Sequence, residues 1–542
     1  MKHRVTFFLT ICLVAAASFV FAQTAEEPSN YGTPDAGTDT NPYQIATWQN
    51  LYWLSQNSDY WDDHFIQIAN IDLGTASPTI QEWDEGKGWT PIGQQCPLGE
   101  GPGGAPFRGV YDGDGYSIIG LFSDRQGGLP DDPGDEEPPG VCPDNSTALF
   151  GYVVDANIRN LHLEGVEIYA TEGAASLVTF AVNSTIENVS ATGQVNGLFL
   201  VGGLVGVADG CDIINASSAT DVLGVAFLGG IVGISFSSDF QNSSATGDVE
   251  SIDFDGGEGG IQPLNASFNN FMDIIPRLEQ TNRVVSNAKK RENDEPIPIF
   301  PLGGFLVGGF AGLADTGSIE RSSSSGDVQG GFGVGGFAGV ADRIIITESF
   351  STGDVLGTEE AAGGFAGFVF SSEIHNSYHR GDVLGNDVVG GFIGGAEGTA
   401  TITFSYSAGA VAGSTEVNGF VGLYGNDGFR EDELLILNSF WDVDTDGIPE
   451  TSSGDDNEGA MGRSTLEMQN IFTFQGGDWS IQSNPDLPRD YPLLTWQLDT
   501  NSPLWTLGSG DPPAIPLSGW STWITLLLMS IVAVRVALRK LL

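Results

Sequence analysis

Positive charge is scarce in this chain. Its 542 residues hold 20 Lys and Arg against 70 Asp and Glu, a formal charge of −50. Five of the basic residues, Lys2, Arg4, Arg535, Arg539 and Lys540, sit at the two ends, which leaves 15 basic against 70 acidic residues between them, near −55. A body so acidic repels nucleic acid and anionic headgroups, so nucleic acid is excluded as a partner. It suits salty or cation-rich water, and it names no ligand by itself.

The usual marks of catalysis are missing as well. There is no His-Glu-x-x-His, no Gly-x-Ser-x-Gly elbow and no phosphate-binding loop. Only five histidines occur, and His375 and His379, although four apart, lie in "EIHNSYHRG", which reads as strand and places both on the surface. Sustained 3.6-residue periodicity is absent too, which excludes a helical architecture.

What the chain has in excess is glycine, 76 residues, and it is periodic. The second Gly of a Gly-Gly or Asn-Gly pair recurs at Gly203, Gly230, Gly309, Gly336, Gly364, Gly391 and Gly419, at spacings of 27 or 28 within each run. An apolar residue follows each, from Leu204 to Phe420, and Gly returns two positions later. Each unit then carries an apolar residue seven before a turn Gly (Ile186, Ile214, Phe240, Ile319, Ile346, Ile374, Ile402) and another two after it (Val195, Leu223, Val249, Val328, Val355, Val383, Val411), with Asp221 standing in for the turn Gly in one copy. About 27 residues at ~3.3 Å each make one closed coil of short strands, and stacking coils at ~4.8 Å would turn every column into a ladder. The sequence therefore predicts an all-β, parallel β-helix-like solenoid of some eight to nine coils. Glycine would serve corners that need positive φ or close backbone approach.

These residues resemble a known family. Gly-Gly-apolar-x-Gly followed by Ile-x-x-Ser-x-x-x-Gly-x-Val is similar to the GLUG repeats of bacterial surface and secreted proteins. The flanks "NPYQIATWQNLYWLSQNSDYWDDHFIQIANIDL", "GWTPIG" and "PFRGVYDGDGYSIIGL" look like the region preceding such repeats, and "NSFWDVDTDG", "STLEMQNIFTF" and "YPLLTWQ" like the segment that closes them. The resemblance spans about residues 31–498 and implies a parallel β-helix-like fold and an exported protein. It carries over no catalytic residue. It divides the chain into an N-terminal cap region (23–147), repeats (148–249 and 303–440) around an insertion (250–302), and a C-terminal capping segment (441–500). "TWQNLYWLSQ" is expected as a short helix over one open end, with "EMQNIF" and "YPLLTWQ" closing the other.

The termini suggest an address. Residues 1–22 have a basic start, an apolar middle, and Val20 and Ala22 at the −3 and −1 positions of a signal-peptide cleavage site. After a Pro-rich linker (501–514), residues 515–542 run uncharged from Trp520 to Val534 and end with Arg535, Arg539 and Lys540. One reading is a single-span anchor whose basic end is expected in the cytoplasm. "AIPLSGW" with its apolar and basic sequel also resembles the IPTL-CTERM sorting signals of Gram-negative bacteria, which implies an exosortase-like processing enzyme and a Gram-negative cell surface, although the usual Thr is missing after Pro516.

For an exported chain, Cys96 and Cys142, which bracket a Pro/Gly-rich acidic stretch, are candidates for a disulfide. Cys211 has no evident mate and reads as buried and inert. Within the insertion, Phe268, Phe271, Met272, Ile275 and Leu278 recur at helical spacing among five basic residues. A partly helical element packed on the flank, or a partner-binding arm, would fit. The serines Ser217, Ser243, Ser322, Ser349, Ser377, Ser405 and Ser439 recur without a base and read as a hydrogen-bonded ladder. "WDVDTDG" places Asp442, Asp444 and Asp446 before Gly447 as in half of a Ca²⁺ loop, but position twelve of that frame is Ser453, with Glu450 or Asp455 as possible substitutes. The other reading is an acidic turn. A structural or adhesive surface protein, binding a surface glycan or matrix component and not an enzyme, is the expected function. A polysaccharide lyase or hydrolase on the same solenoid and a Ca²⁺-stabilised envelope scaffold are the alternatives.

Overall fold

A computed structural model describes residues 23–93, 105–126, 147–171, 173–252, 304–424, 434–446, 460–483 and 490–498. The expected signal peptide, Cys96, Cys142, the proposed helical insertion and the C-terminal tail lie outside these residues.

The chain winds as a parallel β-solenoid. Strands of successive coils pair in parallel in one 34-stranded sheet and a second sheet of eight strands. Register is kept at one repeat per step: Ala311 pairs with Ala338, which pairs with Ala366, then Ile393 and Val421. Like residues therefore stack, and the inward column becomes a file of rings. Phe310, Phe337, Phe365, Phe392 and Phe420 follow one another at centroid distances of 4.7–5.0 Å, their planes nearly parallel. No single coil could bury such a face; its neighbours do.

The period lapses between Val249 and Gly309, yet the stack does not. Ala226 pairs directly with Phe305, Val232 with Ala311 and Val249 with Val328. Asp327 donates its N–H to Asp248 Oδ1 at 2.9 Å across 79 residues of sequence.

The consensus glycines earn their places through close approach. A Cβ on Gly353 would overlap the Gly326 carbonyl oxygen, and one on Gly326 the Gly247 carbonyl. In the Gly-Gly pair a Cβ on Gly335 would overlap the Ala338 carbonyl, and one on Gly336 the Gly364 carbonyl. Apart from Gly193, at φ +130°, the positive-φ corners belong to residues outside the motif glycines. Asn160, Asn188, Asn215, Asn242, Asn376 and Asn438 hold one corner column at φ 48–53°, a conformation that Asn tolerates well.

One copy departs from the expected register by a residue. Ile213, not Ile214, pairs with Ile186 and with Phe240, and Val222, not Leu223, pairs with Val195 and Val249. The turn position is accordingly Thr220, which lies opposite Gly193, while Asp221 lies outside the left-handed region. Ile213 is fully buried.

Both ends carry non-repeat structure. The expected helix forms at Trp48–Gln56, its start fixed by Thr47 and Asn50 in a reciprocal cap, and it turns Leu51 and Leu54 into the core. At the other end the expectation of a lid needs revision. After the helix Thr465–Met468, the chain runs back along the flank of the solenoid, and Trp496 reaches Glu348.

Candidate functional surfaces

Two faces carry ordered chemistry. The first follows the Gly-Asp turn. Asp221, Asp248, Asp327, Asp354 and Asp382 stack one per coil, and each Oδ1 accepts the N–H of the next column residue at 2.8–3.2 Å, ending at Ala410. Four of the five are exposed. The Asp of the motif is thus a structural acceptor with a charge left facing water. Partial burial, opposed by the N–H of the next residue and reinforced by repulsion from the neighbouring carboxylates, raises Asp248 and Asp354 above the usual carboxylate range.

The second face is aromatic and covered. Phe350, Tyr378 and Tyr406 stack at 4.9–5.0 Å, and Phe440 pairs next to Tyr406. In earlier coils the same column holds Ser217, Ser244 and Ser323. The aromatic residues occur only where the returning C-terminal segment lies over them, with Phe474, Trp479, Tyr491, Leu494 and Trp496 in the same cluster.

Of the expected serine ladder, six members line up. Ser243, Ser322, Ser349, Ser377, Ser405 and Ser439 each accept an N–H from the coil before and donate to the carbonyl two residues back. Ser217 stands one position over, opposite Ser244, through the same one-residue slip. Every hydroxyl of the ladder is engaged in backbone satisfaction, which leaves none activated as a nucleophile.

The histidines part company. His375 is on the lateral face beside Thr403 at 2.6 Å and Glu373 at 3.4 Å. His379, expected on the surface, is fully buried, with Nδ1 3.0 Å from Ser351 Oγ. Burial lowers its pKa to about 4. Cys211 is buried and unpaired, and burial raises its thiol to about 11.

Asp442 is 2% exposed, and its carboxylate is engaged on both oxygens. Oδ1 accepts the Asp444 N–H at 2.9 Å and the Thr465 hydroxyl at 3.0 Å; Oδ2 accepts the Tyr491 hydroxyl at 2.6 Å. Asp444 accepts the Thr465 N–H at 3.0 Å. These two aspartates tie the last coil to the returning segment. The Asp446 side chain, Glu450 and Asp455 lie outside the described residues, among which no three acidic, His or Cys side chains converge as a metal cluster.

The motif could be heard in the Gly-Asp spacing, although its acceptor role needs the register. The aromatic column could be found one residue after the serines, but the segment that covers it has no period of its own.

Comparison with known proteins agrees with the repeat. Residues 303–329 match the GLUG motif. The chain is 30% identical over 175 residues to halomucin of Haloquadratum walsbyi and 29% identical over 196 residues to a protein of Evansella cellulosilytica described as a Gly-rich membrane protein. The matched stretches cover 32% and 35% of this chain but only 2% and 19% of those proteins. Among solved structures, one described as an immunoglobulin A1 protease from Bacteroides ovatus superposes over 85% of this chain and 94% of that one, at TM-score 0.33 and 14% identity. An IgA1 protease superposes over 81% of this chain and 25% of that one, at TM-score 0.34 and 13% identity. The fold assignment rests on the strand pairing itself.

Proposed function

We propose that this chain is an exported cell-envelope repeat protein with a structural and adhesive role and no catalytic one. In this reading the solenoid is displayed outside a Gram-negative cell, held by its apolar C-terminal segment or released after cleavage by an exosortase-like enzyme. It offers one surface, repeated coil by coil, to a glycan or matrix component. The acidic ladder carries the reading: the same carboxylate returns at every step from Asp221 to Asp382, in one geometry. Repetition suits a long, periodic ligand, because weak contacts at each coil add through effective concentration. A catalytic centre needs one coil unlike the others. The similarities to halomucin and to a Gly-rich membrane protein support an envelope setting.

The test is to incubate the full chain with a panel of uronate and neutral glycans, scoring both retention and new reducing or unsaturated ends. Retention without new ends, weakened by Asp→Asn changes along the ladder, is expected. Turnover of any polymer would replace this reading with a lyase or hydrolase.

A further inference from the structure

One further strand, Ala460–Arg463, stacks in parallel on Ser439–Asp442, and from Thr465 onward the chain leaves the solenoid and turns back along it, with a consequence for how the molecule opens. A stack of coils is held by nearest-neighbour pairing, so the coil at its end, here backed among the described residues by one four-residue strand, should fray first. Here the returning segment is fastened to four successive coils. Tyr491 donates to Asp442 in the last of them at 2.6 Å. Tyr406, one coil earlier, donates to the Pro492 carbonyl at 2.6 Å. In the next, Arg380 is ion-paired to Asp490, Tyr378 hydrogen-bonds with Gln497 at 3.1 Å, and Asn376 bonds with the Asp478 carbonyl and the Ser480 N–H. In the fourth, the Trp496 indole N–H donates to the Glu348 carbonyl at 2.8 Å and its ring packs on Phe350.

We propose that residues 465–483 and 490–498 act as a clasp that makes the coils from Glu348 to Asp442 one cooperative unit and suppresses end-fraying on that side. To lift the last coil, its Asp442–Tyr491 bond must break, and Tyr491 is itself held next to Asp490 on Arg380, two coils earlier. Displacing the segment also exposes Phe350, Tyr378, Tyr406 and Phe440 together, so partial opening gains little entropy and loses several apolar contacts at once. Covering the stripe also adds aromatic contacts that stabilise beyond the area they bury. The ring column appears only under the clasp, as this role requires.

Native-state hydrogen exchange on the full chain reads this directly. In the unaltered protein the strand amides at 378–379, 406–407 and 439–442 should open together, at one common rate. In a Asp490→Ala/Trp496→Ala double variant, protection should become graded. It should fall about tenfold or more at 439–442, less at 406–407 and 378–379, and not at all at 311–320. Asp490→Asn, which keeps shape and removes only the ion pair, guards against a variant that fails to fold and should give a weaker form of the same gradient. A uniform loss along the whole stack in both variants, or an unchanged pattern, would overturn the clasp.

Discussion

Tyr491 donates its hydroxyl to Asp442 at 2.6 Å, joining a residue of the returning segment to one 49 positions earlier at the end of the last coil. Burial and the Asp442 carboxylate both raise the phenol well above its ordinary pKa, so the proton stays on Tyr491. Tyr491→Phe removes the donor and leaves a buried carboxylate oxygen without its partner, at an expected cost of about 1–3 kcal/mol. Denaturant unfolding checks the value. Asp442→Asn should lower the melting temperature equally with Ca²⁺ and with chelator, because protein donors occupy both oxygens. Calorimetry in which only the Ca²⁺-loaded protein responds would restore the Ca²⁺-loop reading of Asp442, Asp444 and Asp446.

Glycines of the motif and a glycine at a strand irregularity, Gly165, should respond differently to alanine. Gly353→Ala places a methyl on the Gly326 carbonyl, backbone against backbone, with no flexible atom to give way. Overpacking of this kind costs about 1–3 kcal/mol or more. Gly165→Ala meets nothing within 4 Å and pays only for its φ of +62°, about 1–2 kcal/mol. Urea midpoints should rank Gly353→Ala as the more damaging; the reverse order would mean that conformation, not space, selects glycine in the motif.

The inward ring column tolerates shape change better than loss of volume. Leu204 and Ile231 occupy the same column in earlier coils and are as completely buried as Phe310 and Phe337. Phe337→Ala is expected to cost about 3–5 kcal/mol, Phe337→Leu below about 1.5 kcal/mol. Equal costs would show that ring stacking, and not burial, stabilises the column.

Two buried groups give opposite pH signatures. His379 is depressed to about 4 by burial, so its contribution is complete above the unfolded value of 6.5 and is lost as pH falls toward 4. Asp342 is raised to about 6 by burial, with Arg343 opposing and Asp315 reinforcing, so its contribution is complete below 3.8 and is lost as pH rises through 6. His379→Ser, matching Ser351 and Ser407 in its column, should flatten the acid limb of the stability curve. Asp342→Asn should raise the melting temperature at pH 7 and leave it alone at pH 3. Difference curves between each variant and the parent isolate these effects from the other carboxylates.

Much of this architecture was legible because a ladder writes itself into the sequence as columns. The Phe310–Phe420 file, the serine ladder and the helix at Trp48–Gln56 needed only counting and cap chemistry. The slip at Ile213 shows where counting stops. In "CDIINASSATDVLG" both Ile213-Ile214 and Val222-Leu223 offer adjacent apolar residues, and choosing Asp221 as the turn shifted the frame by one. Since strand side chains alternate, one residue exchanges inside for outside, and only pairing resolves it. The burial of His379 escapes the sequence for a related reason: its two neighbours in the column, Ser351 and Ser407, are small and polar and give no apolar signal. The returning segment reads as a closing element, but its path depends on contacts such as those 86 and 148 residues apart in sequence, which no period announces. The acidic ladder lay in view as Gly-Asp-Val, its acceptor role concealed until the next coil's N–H was in place.

The unbroken pairing across residues 253–303 gives the solenoid a port. Ser251 ends one strand and Phe305 begins the next, and the two coils close on each other as if consecutive. Whatever is spliced there must only leave and return at the same corner. The entropic penalty of such a loop rises by only about 0.6 kcal/mol for each doubling of its length. A stack that already holds its register through Asp248 and Asp327 can therefore carry cargo at this seam, short or long, and exchange one passenger for another without rewriting a single column.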